Sequence, residues 1–155
     1  MSSLLRLLAA STLAVAFAAP AHAEDKNTVT VGISVGTAEK IFDVVQKVAA
    51  RDGLTIKLVK FNDYQLPNAA LNAGDLDANA FQHKPFLDNQ IKARGFDIVP
   101  VGLTVTAPLG FYSHKIKSLN DLPEGASVGI QNDPSNGNRA LRLLAAYKII
   151  TLKPE

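Results

Sequence analysis

The chain has 155 residues, of which 47% are hydrophobic, and its 16 Lys and Arg against 14 Asp and Glu leave a formal net charge of +2. Because the basic residues form no blocks, the charge distribution does not indicate nucleic acid or an anionic membrane as a partner. The sequence contains no cysteine, which excludes a disulfide framework and thiolate chemistry.

The first residues have the pattern of a secretory signal peptide. Arg6 precedes an apolar run from Leu7 to Phe17, and Ala21 and Ala23 supply the small residues that signal peptidase accepts. The run is shorter than the roughly 20 apolar residues that a transmembrane helix requires. We therefore expect residues 1–23 to be a signal peptide cleaved after Ala23, and the mature protein to be periplasmic. Since there is no cysteine to acylate, we expect no lipid anchor.

Between residues 28 and 102 the apolar pattern alternates between strand-like and helix-like segments. It predicts strands at residues 28–33, 54–61, 76–81 and 96–102, and helices at residues 38–51, 66–73 and from His83 or Lys84 to Arg94. This alternation is typical of βαβ crossovers and indicates an α/β fold with a mainly parallel sheet. Ligands of such sheets bind beyond the carboxyl ends of the strands. We assign residues 24–106 to a first lobe.

The pattern changes after Gly102. It predicts an extended segment at residues 103–113 that can cross between lobes, a capped turn at 117–122 and a strand at 126–131. A polar loop at residues 132–139 then opens a helix that ends near Tyr147. We assign residues 107–155 to the start of a second α/β lobe. One strand and one helix cannot cover both faces of a sheet, so we interpret this lobe as truncated.

Two segments at predicted strand ends carry aromatic rings and a histidine. These residues are Tyr64, Phe81, His83 and Phe86. Aromatic walls with a few oriented polar groups are typical of a site for a small, partly apolar ligand. Taken singly, Phe81 and Phe86 would more often be core residues, and His83 would more often be a helix cap or scaffold residue.

Other kinds of site fit the sequence less well. A metal site could use His83 with Asp77 or Asp88, but transition-metal sites usually contain more than one histidine. A hydrolase could pair Ser135 with His83, but Ser135 does not stand in a Gly-x-Ser-x-Gly string. A phosphate-binding glycine loop is missing. The sequence therefore favours a binding protein that needs no cofactor or metal over an enzyme.

Five strings resemble the NlpA family of methionine-binding proteins. They are Phe61-Asn-Asp-Tyr64, Leu66-Pro-Asn68, Asp77-Ala-Asn-Ala-Phe-Gln-His-Lys-Pro85, Lys115-Ile-Lys-Ser-Leu119 and Asn132-Asp-Pro-Ser-Asn136. The resemblance spans residues 29–155 and implies a type II periplasmic-binding-protein clamshell, with the first lobe nearly complete here and the second truncated. It also implies delivery of D- or L-methionine to an ABC importer permease in the inner membrane. Two departures are the missing acylation cysteine and Phe86, where the family usually has tyrosine.

The resemblance also implies residue roles. A first-lobe wall around the methionine thioether would consist of Tyr64, Phe81, His83 and Phe86. Arg139 would bind the ligand carboxylate, with Asn136 as a weaker ligand-binding candidate. The alternatives are that Arg139 lies on a solvated helix face, that the protein binds another small amino acid or anion, or that the chain is a non-binding fragment of such a protein.

Overall fold

The computed structural model describes residues 27–153. The predicted signal peptide and its cleavage point lie outside these residues. The regular elements are the strands β1 (Thr28–Ser34), β2 (Thr55–Phe61) and β3 (Ala78–Ala80), the helices α1 (Thr37–Arg51), α2 (Leu66–Ala73), α3 (Lys84–Arg94) and α4 (Pro134–Ala146), and a single 3₁₀ turn at Leu119–Asp121. Among the described residues, no helix combines the length and apolar character needed to cross a bilayer.

The three strands form one parallel sheet in the order β2-β1-β3. Because β1 lies in the middle, Val31 pairs with Leu58 on one side and Ala78 on the other, and Ile33 pairs with Lys60 and Ala80. The α/β fold with a parallel sheet is therefore confirmed. The carboxyl ends of all three strands lie at the same edge of the sheet, which is where parallel sheets bind ligands.

The helix ends follow from local sequence. Glu39 accepts a hydrogen bond from the backbone N–H of Gly36 at 3.1 Å and so closes the start of α1. Pro67 and Pro85 stand in the first turns of α2 and α3, where a missing N–H is tolerated. Both helices then end at glycines in the left-handed conformation, α2 at Gly74 and α3 at Gly95.

The core lies around the central strand. Its buried apolar residues are Val31, Ile33, Leu76, Phe86, Leu87 and Ile98. Helix α1 packs against β1 and β2, and α2 packs against β1 and β3. Helix α4 packs against α3 and buries Ala140 and Leu144. This contact brings the amino-terminal end of α4 to the carboxyl edge of the sheet.

Two predicted strands are wrong for the described residues, and one is shorter. Residues 96–102 and 126–131 form no strand, and β3 covers only Ala78–Ala80 of the predicted 76–81. A strand is defined by a hydrogen-bonded neighbour, and neither segment has one within residues 27–153. Two apolar side chains of the first segment are accordingly exposed, Val99 at 70% and Val101 at 92%, whereas Ile98 is buried. The predicted lobe boundary at residue 106 stays a prediction.

Candidate functional site

Three aromatic rings meet at the carboxyl edge of the sheet. Tyr64 follows β2, Phe81 follows β3, and Phe86 lies in the first turn of α3. The Tyr64 ring centroid is 4.8 Å from that of Phe81 and 4.7 Å from that of Phe86, and those of Phe81 and Phe86 are 6.0 Å apart, all edge to face. This is a favoured aromatic geometry, so the three rings form one rigid cluster. The structure thus brings together the three aromatic residues singled out in the sequence.

The three rings differ in exposure. Phe86 is 1% exposed and belongs to the core, whereas Tyr64 and Phe81 are half-buried. The Tyr64 hydroxyl donates a hydrogen bond to the Phe81 carbonyl oxygen at 3.1 Å, which ties the two half-buried rings together. Direct ligand contact by Phe86 stays a prediction. In the structure its buried ring packs against the rings of Tyr64 and Phe81.

His83 occupies the amino-terminal cap of α3 with its backbone, not its side chain. Its carbonyl oxygen accepts hydrogen bonds from the N–H groups of Phe86 at 3.1 Å and Leu87 at 3.3 Å. Its Nε2 atom is buried and has no hydrogen-bond partner within residues 27–153. Burial lowers the pKa of His83, the positive charge of Arg139 lowers it further, and Asp133 opposes the shift. The imidazole is therefore neutral near pH 7 and can offer a hydrogen bond to a ligand.

The second part of the site is the start of α4. Asp133 is the amino-terminal cap and is only 6% exposed. Its Oδ1 accepts hydrogen bonds from the Ser135 N–H at 3.1 Å, the Ser135 hydroxyl at 2.6 Å and the Asn136 N–H at 2.8 Å. Burial disfavours the charged carboxylate, but the hydrogen bonds from Asn136 and Ser135 outweigh it and hold the pKa of Asp133 below its usual range.

Arg139 lies one turn further along α4. Its Nη1 donates to the Asn136 Oδ1 at 3.1 Å, and the residue is exposed. The Arg139 and Asp133 charges both act on Tyr64, whose pKa is raised by burial and by Asp133 and lowered by Arg139 to a smaller extent. The same two charges also act on His83, which agrees with the packing of α4 on α3 and places the start of α4 near the aromatic cluster. The sequence placed these residues in separate lobes, and the structure brings them together.

A network of amide side chains around the buried Asn68 was not anticipated from the sequence. Asn68, 1% exposed, accepts at Oδ1 from Asn79 Nδ2 at 2.9 Å and Gln82 Nε2 at 2.6 Å, and its own Nδ2 donates to Gln82 Oε1 at 2.7 Å. Gln82 Nε2 also donates to Asn79 Oδ1 at 3.2 Å. The network fixes the segment between Phe81 and His83. The only feature of the sequence that could have predicted this network is three amide side chains close to strand and helix ends. The same residue types are also common in turns, so the feature is not specific.

Two other chemistries can be tested against the structure. Within residues 27–153 no group of three or more His, Asp or Glu side chains is arranged to hold a metal ion. A Gly-x-Ser-x-Gly string does occur in the sequence, at Gly32–Gly36. Ser34 of that string still pairs with Phe61 in the β1–β2 ladder, and no hydrogen bond among the described residues joins it to a histidine. Within residues 27–153, Ser34 therefore has no hydrogen-bonded base of the kind that activates a nucleophilic serine.

Comparison with known proteins matches most of the chain to the family that the sequence strings resemble. The family model described as NlpA lipoprotein matches residues 29–155. The D-methionine-binding lipoprotein MetQ of Salmonella typhi is 52% identical over 131 residues, which are 84% of this chain and 48% of that protein. The MetQ of Escherichia coli K12 is 51% identical over the same shares of the two chains. The chain thus spans about half the length of these curated relatives.

Solved structures show the same similarity. A nutrient binding protein from Burkholderia cenocepacia, bound to methionine, is 55% identical with a TM-score of 0.77 over 81% of this chain and 52% of that one. A methionine-binding protein MetQ is 52% identical with a TM-score of 0.79 over 82% of this chain and 52% of that one. The chain has the α/β fold of these binding proteins over the aligned part.

Proposed function

The chain belongs to the NlpA lipoprotein family, and from this premise we propose that it is the methionine-binding part of a substrate-binding protein that delivers D- or L-methionine to an ABC importer. The relatives named above are D-methionine-binding lipoproteins, and one solved relative holds methionine. Since those proteins are named for binding and not for catalysis, the proposal is a binding function.

The observation that carries the proposal is that an apolar wall lies near the start of α4, the helix that packs on α3 and bears the Arg139 cation. Tyr64 and Phe81 present half-buried rings at the end of the sheet, and Arg139 lies close enough for its charge to act on Tyr64. A methionine has the matching two ends, a soft thioether that gains from ring contact and a carboxylate that pairs with a guanidinium. His83 Nε2, buried and unpartnered among the described residues, is a third group available to the ligand.

The assembly around the ligand is part of the same proposal. The aromatic wall belongs to a first lobe ending near residue 106, and Arg139 belongs to a second lobe that closes over the ligand as in hinged binding proteins. The closed form is the one that a permease in the inner membrane recognises. The chain is exported, with cleavage of its leader after Ala23; the mass of the secreted product tests this step, and a mature chain beginning at Glu24 is the expected result.

A titration with matched ligands tests the binding function. The isotope-labelled chain is titrated with L-methionine, D-methionine, norleucine and methioninamide, and the backbone amide signals are followed by NMR, which measures weak and strong binding alike. Methionine is expected to bind more tightly than norleucine, which lacks the sulfur, and than methioninamide, which lacks the carboxylate. Equal affinity for methionine and methioninamide would contradict a role for Arg139, and no shifts with either methionine enantiomer would contradict the proposed ligand.

A further inference from the structure

Consecutive hydrogen bonds connect Asp133, the buried cap of α4, to the exposed Arg139. Asp133 Oδ2 accepts from the Asn136 Nδ2 at 3.0 Å, and the Asn136 Oδ1 accepts from the Arg139 Nη1 at 3.1 Å. Asp133 is itself fixed by three more hydrogen bonds through its Oδ1, two from Ser135 and one from the Asn136 N–H. The connection therefore starts at a rigid, buried carboxylate and ends at a side chain that faces solvent.

We propose that Asn136 is a positioning residue that orients the Arg139 guanidinium for a ligand carboxylate, and that Asp133 sets the orientation of the Asn136 carboxamide. This inference rests on the proposed function only in naming the ligand. It assigns Asn136 a different role from the ligand contact that the family resemblance implied, because both ends of its carboxamide are already occupied within the protein.

The direction of the carboxamide follows from the charge of its neighbours. A carboxylate accepts hydrogen bonds only, so Asp133 holds the NH₂ end of Asn136 and turns its oxygen towards Arg139. A guanidinium has five N–H donors in a planar fork. One is taken by Asn136, and within residues 27–153 no further side-chain acceptor for Arg139 is found. The remaining donors stay available for a bidentate contact with a carboxylate.

Because Arg139 is exposed, holding its guanidinium in one orientation has an energetic benefit. A free arginine side chain populates many rotamers, and fixing them costs part of the binding free energy of each ligand. A hydrogen bond that holds the guanidinium beforehand removes part of that cost. Asn138 and Arg142, on the same helix, form a similar pair in which Arg142 Nε donates to Asn138 Oδ1 at 3.3 Å. Within residues 27–153 no hydrogen bond joins the Asn138 side chain to a buried carboxylate, which makes this pair a matched control.

The first experiment needs no ligand. Rotation of the Arg139 guanidinium about its Cζ–Nη bonds is measured by NMR in the free 155-residue chain and in the Asn136→Ala, Asp133→Ser and Asn138→Ala variants. Serine retains the cap function at position 133 but has no second oxygen for Asn136. We expect rotation to be about fivefold faster in Asn136→Ala, as for the loss of one ordinary hydrogen bond, faster in Asp133→Ser, and unchanged in Asn138→Ala. Unchanged rotation in Asn136→Ala would overturn the proposal whether or not methionine binds.

The second experiment separates positioning from ligand contact. Methionine affinity is measured for Asn136→Ala, Arg139→Ala and the double variant. If Asn136 acts through Arg139, Asn136→Ala weakens methionine binding about fivefold in the parent and has almost no effect once Arg139 is alanine. Methioninamide affinity is expected to be the same with and without Asn136→Ala. An equal loss in both backgrounds would show that Asn136 contacts the ligand itself, and would overturn the positioning role while leaving the binding function intact.

Discussion

The proposed function makes Arg139 the residue on which methionine affinity depends most directly. We expect Arg139→Ala to weaken methionine binding by about 1.5 to 2 kcal/mol, the lower part of the range for hydrogen bonds to charged groups, because the side chain is exposed and solvent screens its charge. The measurement is the dissociation constant from an NMR titration. His83→Ala is expected to cost less, since its imidazole is neutral.

Arg142→Ala provides the control for this substitution. It removes the same side chain three residues further along α4, and Arg142 donates to Asn138 instead of Asn136. The affinity for methionine should not change. If Arg142→Ala weakened binding as much as Arg139→Ala, the effect would come from the net charge of the helix and the assigned carboxylate contact would be wrong.

His83 should give the fold a measurable sensitivity to acid. Its pKa is lowered in the folded protein, chiefly by burial, so the unfolded chain binds a proton more readily. The free energy of unfolding should therefore fall as the pH drops below about 6.5, the ordinary histidine pKa, towards the lower folded value. Chemical denaturation between about pH 7.5 and pH 5 measures this slope, which should be smaller in His83→Gln. An identical slope in the variant would assign the acid sensitivity to other groups.

Residue roles could be predicted from sequence only in part. The aromatic positions Tyr64 and Phe81 followed from residue type and place in the pattern. The burial of Phe86 did not, because a phenylalanine near a site and one in a core have the same local sequence. The sequence predicted a polar loop that opens the last helix but did not identify Asp133 as its cap, and the link from Asp133 to Arg139 depends on side-chain orientation that spacing alone does not determine.

At the scale of elements, the helices and the strands β1 and β2 were predicted closely, whereas the strands predicted at residues 96–102 and 126–131 were wrong. Helices form their hydrogen bonds within themselves and end at local signals such as Gly74 and Gly95. A strand needs a hydrogen-bonded neighbour that is distant in sequence. The apolar residues at 96–102 are compatible with a strand, but they do not show that such a neighbour is present. In the structure residues 96–102 have no neighbouring strand and are largely exposed, so the predicted strand does not form.

The central strand contains a close approach that tests the packing of the sheet. A Cβ atom at Gly32 would lie 2.7 Å from Leu76 Cδ1 and 3.1 Å from the Phe61 ring. We expect Gly32→Ala to reduce the free energy of unfolding by about 1 to 2 kcal/mol, because overpacking of the core exceeds the small gain from a less flexible unfolded chain. The midpoint of urea denaturation gives this value.

Gly102→Ala is the matched control for this prediction. No atom lies within 4 Å of a Cβ placed at Gly102, and its backbone is not in the left-handed region. The control should be neutral or slightly stabilising through the unfolded state alone. Equal stability of the Gly32→Ala and Gly102→Ala variants would show that the contact among β1, Leu76 and Phe61 is looser than described.

At the scale of the whole molecule, the site exists because the chain returns to one edge of the sheet. Parallel pairing places Tyr64 and Phe81 at the ends of β2 and β3, and packing of α4 on α3 brings Arg139 towards them. Neither the aromatic residues nor the arginine would indicate a ligand by themselves. The sequence predicted the α/β fold from its alternation, whereas the juxtaposition of distant segments required the family resemblance or the structure.

The most direct test of the proposed site is to observe where the methionine methyl group lies. Methionine labelled with ¹³C at its methyl group is added to the labelled chain, and intermolecular nuclear Overhauser effects are recorded together with the Arg139 guanidinium signals. The proposed site predicts contacts from the methyl group to the rings of Tyr64 and Phe81, with the Arg139 signals shifting in the same titration. Bound methionine whose methyl group contacts neither ring, or whose binding leaves the Arg139 signals unchanged, would contradict it.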